Sequence, residues 1–60
     1  MPVVIVEMWE GRTIEQKRQL VAGIASSFAT IGLLPEDVEI ILKDNPKHNW
    51  GENGKLASEQ

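Results

Sequence analysis

Sixty residues make one domain at most, and a chain this short buries only about 60% of its unfolded surface. There is no cysteine and only one histidine, which excludes disulfides and argues against a structural zinc site, leaving self-association as the route to extra stability. With 42% apolar residues, 25% charged residues and a net charge of -3, the chain reads as folded and acidic, neither a disordered tail nor a nucleic-acid binder with a basic stripe.

No apolar run approaches the roughly 20 residues of a membrane span. No basic-then-apolar leader opens the chain, so the expected compartment is the cytoplasm. Residues 1–60 read as one domain.

The first element is a strand over Pro2 to Met8. Val3, Val4, Ile5 and Val6 form a continuous β-branched run, the pattern of a strand covered on both faces. Pro2 suits a strand start, where its missing N–H breaks no ladder bond. Gly11 then allows a sharp turn. Thr13 reads as a helix N-cap, and Gln16 three residues later completes a capping box. The helix is expected from about Ile14 to Ile31, with Ile14, Leu20, Val21, Ile24, Ala25, Phe28 and Ile31 as its apolar stripe. Lys17, Arg18 and Ser27 fall mostly off that stripe. Gly32 is placed to end it.

Leu33 to Asp37 is a connection in which Pro35 forbids further helix. Val38 to Leu42 is the second strand. A helical crossover makes the two strands parallel and the connection right-handed. Asn53-Gly54 is a type I′ turn signal, and a short hairpin is expected between about Trp50 and Leu56. The fold class is therefore α+β: one β-α-β unit with a C-terminal hairpin. A two-stranded sheet leaves both edges open and one face without cover. The sheet should therefore be completed by dimerisation and covered by further copies.

The usual nucleophiles are missing. Ser26 and Ser27 lie within the helix, and His48 lies in a polar loop. Pro2 offers another chemistry. Removal of Met1 would leave a secondary amine at the chain start. An unperturbed α-amino group titrates near 7.7–8.0, and an apolar pocket or a nearby cation lowers that further. Such an amine can act as a general base near neutral pH. Arg12, just before the helix N-terminus, is placed to hold a carboxylate in bidentate fashion or to stabilise a developing enolate.

Pro2 to Val6 (PVVIV), followed by Glu10 to Arg18 (EGRTIEQKR), resembles the tautomerase superfamily, and most closely its short 4-oxalocrotonate tautomerase group. The resemblance continues through Gly32, Pro35 and the second strand to Trp50-Gly51 and Gly54-Lys55-Leu56-Ala57. It implies the β-α-β fold with a hairpin, four-stranded dimer sheets, and a homohexamer built as a trimer of dimers. It implies an isomerase that uses no cofactor and no metal, with a small carboxylate as substrate and a place in aromatic hydrocarbon catabolism. Pro2 would shuttle a proton between the enol hydroxyl and a carbon of a 2-hydroxydienoate or a phenylpyruvate-like enol. Arg12 of a neighbouring subunit would bind the substrate carboxylate. Trp50 would keep the amine's surroundings apolar, and Trp9 would line the pocket.

Two departures bear on the substrate. Glu39 stands where the archetypal member carries a second arginine that polarises the 2-keto group. An acid cannot do that, and it repels a dicarboxylate unless protonated or turned away. Glu52 resembles the water-activating glutamate of the trans-3-chloroacrylic acid dehalogenases, although Trp9 replaces one of that enzyme's paired arginines. An alternative reaction is therefore hydration or dehalogenation of a short unsaturated carboxylate. A further alternative is a non-catalytic or heteromeric subunit.

Overall fold

The computed structural model describes residues 1–60. Strand β1 runs Val3–Trp9, helix α1 Ile14–Ser27, strand β2 Glu39–Asn45, strand β3 Gly51–Glu52 and strand β4 Lys55–Leu56. Short 3₁₀ turns lie between α1 and β2, between β2 and β3, and after β4. β1 and β2 pair in parallel, with Val3 opposite Glu39 and Trp9 opposite Asn45. β3 and β4 form an antiparallel hairpin. The β-α-β unit and its hairpin are therefore as expected, and each long strand runs further toward its C-terminal end than its sequence suggests.

The helix starts where its capping chemistry puts it. The Gln16 N–H donates to the Thr13 hydroxyl at 3.0 Å, and the Thr13 N–H donates to the Gln16 side chain at 2.9 Å. These two bonds satisfy donors that the first turn leaves without partners. At the other end the α-helix stops at Ser27, four residues before the expected limit, and Phe28–Ile31 tightens into a 3₁₀ turn. Gly32, at φ 83°, explains the stop. Its left-handed backbone lets the Gly32 N–H reach Ala29 O at 3.0 Å and the Leu33 N–H reach Phe28 O at 3.1 Å, closing the helix as such glycines do.

The two faces of the sheet differ, because side chains alternate along a strand. Val4, Val6 and Met8 of β1, with Ile40 and Leu42 of β2, are partly covered and lie on the helix side. Val3, Ile5 and Ile41 share the opposite face and stay 52%, 55% and 44% exposed. The β-branched run is thus covered on one face only within a single chain. On the helix, Val21, Ile24, Ala25 and Phe28 are sheltered, whereas Ile14, Leu20 and Ile31 stay exposed. Lys17 corrects the expected stripe. It lies on the sheltered side, and its Nζ meets Asp44 Oδ2 at the end of β2, 2.5 Å away.

Ala25 and Ala57 are the buried residues. The radius of gyration is 14.4 Å and the long axis 43 Å, against a radius of about 10 Å for a compact 60-residue domain. The accessible surface is 4565 Å², above the about 3,900 Å² of a compact folded chain of this mass. The protomer is elongated, and its open sheet face has no cover within the chain.

Candidate active site

The candidate residues fall at two ends of the sheet. Pro2 and Glu39 mark one end. Pro2 is half-buried directly before β1, and its carbonyl accepts the Glu39 N–H at 3.0 Å. That bond, with the fixed φ of the ring, anchors the residue whose nitrogen is in question. Glu39 is exposed and pairs with Val3. Alternation places it on the open face, whereas Pro2 falls on the helix side with Val4.

The other end carries Trp9, Arg12, Trp50 and Glu52. Trp9 closes β1 opposite Asn45, and Glu10 N–H donates to Asn45 O at 3.0 Å as the chain leaves the sheet. Gly11, at φ 118°, turns the chain back toward the helix. Arg12 is exposed there and joins no ion pair. The Lys17–Asp44 contact confirms the placement, because it sets the first turn of the helix beside the last residues of β2.

The two indoles meet edge to face, with ring centroids 5.9 Å apart and planes at 74°. Such a pair adds about 0.5–1.5 kcal/mol beyond its area burial. The hairpin brings Trp50 to this place. Asn53 and Gly54 both take positive φ, 54° and 74°, as a type I′ turn requires. The returning strand then lets the Ala57 N–H donate to Trp50 O at 2.7 Å. Ala57 is buried at this closure. Glu52 is exposed in the hairpin, paired in register with Lys55.

Sequence reasoning missed Lys47. Its Nζ sits over the Trp9 ring, 4.8 Å from the centroid. Parallel pairing supplied a clue: Trp9 opposite Asn45 brings the residues after β2 beside the indole that ends β1. The contact is worth about 0.5–1 kcal/mol at an exposed site, less than the about 1.5–3 kcal/mol of a hydrogen bond to a charged group. Beneath it, Trp9 Nε1 is buried with no acceptor. An indole N–H can only donate, so this donor costs about 1–3 kcal/mol while it has no partner.

Pro2 and Trp9 are seven residues apart on an extended strand, about 23 Å at 3.3 Å per residue. One protomer therefore does not bring Pro2 and Arg12 to a common small ligand. No pocket forms at either end within the chain. No group of three His, Cys, Asp or Glu side chains converges to hold a metal ion.

The protomer is an elongated β-α-β chain with a proline leading its first strand, a tryptophan pair closing the other end and one apolar sheet face left open. A family model described as a tautomerase enzyme matches residues 1–52. A probable tautomerase of Halalkalibacterium halodurans is 41% identical over all of both chains. The 2-hydroxymuconate tautomerase of Bacillus subtilis is 37% identical, covering 98% of this chain and 97% of that one. A solved 4-oxalocrotonate tautomerase homologue superposes with a TM-score of 0.91 at 35% identity over 98% of each chain. A heterohexameric 4-oxalocrotonate tautomerase from Chloroflexus aurantiacus superposes with a TM-score of 0.89 at 27% identity, covering 98% of this chain and 97% of that one. The chain belongs to the tautomerase family, among its 4-oxalocrotonate tautomerase-like members, and is an isomerase.

Proposed function

We propose that the protein interconverts the enol and keto forms of small 2-hydroxydienoate or phenylpyruvate-like carboxylates. Once Met1 is removed, the Pro2 nitrogen takes the enol proton and returns it to a carbon of the substrate. Proton transfer by a positioned base of this kind contributes typically 10²–10⁴-fold. Arg12 of a neighbouring subunit binds the carboxylate and draws electron density toward it. Trp9 and Trp50 line the apolar wall, and Glu39 borders the entrance beside Pro2. The chemistry needs neither a cofactor nor a metal.

The separation of Pro2 from Arg12 along the sheet carries this reading, because it calls for a site built between copies. Val3, Ile5 and Ile41 on the open face supply apolar surface for the assembly. The assembly proposed is a homohexamer, a trimer of dimers. A homologue that is a heterohexamer makes assembly with a second kind of chain the outcome to be distinguished.

The test is turnover of 2-hydroxymuconate and phenylenolpyruvate by protein whose intact mass lacks methionine, beside a Pro2→Ala variant. Turnover that falls at least 100-fold in the variant supports Pro2 as the base. Undiminished turnover in the variant, or full activity with Met1 retained, would overturn it.

A further inference from the structure

The six basic side chains divide into two groups. Lys17, Arg18 and Lys43 are paired with Asp44, Glu15 and Glu7. Arg12, Lys47 and Lys55 form no ion pair, although Lys55 stands opposite Glu52 in the hairpin register, and they lie beyond β1, beyond β2 and in the hairpin respectively. Arg12 and Lys47, which follow β1 and β2, therefore lie toward the indole end of the sheet, while Glu39 stands at the far end. Within that group Lys47 alone is seated on an aromatic face. Lys47 therefore leaves the indole end with a cation that no acid neutralises within the chain. Such a cation suits an anion, and a flat conjugated chain suits the indole walls.

We propose that Lys47 is the second cation of the site and takes the far carboxylate of a dianionic diene whose near carboxylate is held by Arg12. This rests on the site composition proposed above. Lys47 thereby selects six-carbon dicarboxylates over monocarboxylates of the same frame. It takes up the charge recognition that an acid at position 39 cannot provide. It touches substrate without exchanging a proton with it, so its effect falls on KM and leaves kcat in place.

Muconate and sorbate share the six-carbon diene and differ in carrying two carboxylates or one. Their binding to Met1-processed protein is read from quenching of tryptophan fluorescence, which needs no turnover. The unsubstituted protein should bind muconate about tenfold more tightly than sorbate, the scale of one charge-assisted contact. Lys47→Met should abolish that preference by weakening muconate alone, and Lys47→Arg should retain it. If Lys47→Met fails to assemble, Lys47→Gln, checked by sedimentation, replaces it. Equal weakening of both ligands would make Lys47 a packing residue for Trp9 and overturn the proposal. So would an unchanged preference, or the lack of one in the unsubstituted protein. Pro2→Ala is measured in parallel. It should lose turnover yet keep the muconate preference, so failure of the base assignment is distinguishable from failure of Lys47.

Discussion

If the site is shared between copies, two inactive variants should restore each other. The perturbations are Pro2→Ala in one chain and Arg12→Ala in the other. The geometry sets the expectation. Pro2 precedes β1 and Arg12 follows it, so the strand alone separates them by about 23 Å. The 14-residue helix that begins beyond Arg12 spans about 21 Å of the return path, and Lys17 meeting Asp44 holds its first turn at the indole end. Groups that act on one small substrate lie within hydrogen-bond reach of it, about 3 Å. Pro2 and Arg12 of one chain therefore serve different sites. In a 1:1 random mixture, half the sites take Pro2 from an Arg12→Ala chain. Half of those take Arg12 from a Pro2→Ala chain, so about a quarter of all sites are intact across symmetric interfaces. The assay is turnover after unfolding the two variants together and refolding them, compared with each refolded alone. Recovery near a quarter of the unsubstituted rate is expected. Activity that stays at the level of the single variants, in assemblies shown to contain both chains, would refute a shared site.

Three further outcomes follow from individual residues. Thr13→Ala removes the hydroxyl that accepts the Gln16 N–H, and should cost about 1 kcal/mol in urea unfolding at a fixed protomer concentration. Ile5→Asp puts a charge on the open apolar face, and sedimentation should show dissociation to smaller species. Retention of the full assembly would mean that this face is not the contact. Glu52→Gln alters an exposed hairpin acid and should leave tautomerisation within about twofold, whereas loss of turnover would give Glu52 a role in proton transfer.

Local chemistry made much of the fold legible. The Thr13–Gln16 box, Gly32 and Asn53-Gly54 each prescribe a backbone event through side chains a few residues apart, and each occurs where the sequence puts it. The errors have one local source and one distant source. The tail of the helix satisfies its end groups through Gly32 and tightens after Ser27, although Phe28 and Ile31 continue the apolar spacing. Lys17 reads as a residue mostly off the apolar stripe because spacing cannot show that Asp44, 27 residues away, will meet it. At the candidate site, Pro2 and Arg12 could be singled out by the chemistry each residue type offers. Lys47 is less legible, because its contact with Trp9 depends on the exact parallel register that sets Trp9 beside the end of β2.

The 43 Å long axis has a consequence for how such a chain can diversify. If Pro2 handles the proton and Arg12 the anion, at opposite poles, a duplicated gene can let one copy decay at its amino-terminal pole and the other at its indole pole. Each alone would be silent, yet a mixed ring would still hold whole pockets. Specificity can then change by exchanging partners as well as by point substitution, and extreme dilution should silence the protein by separating the chains.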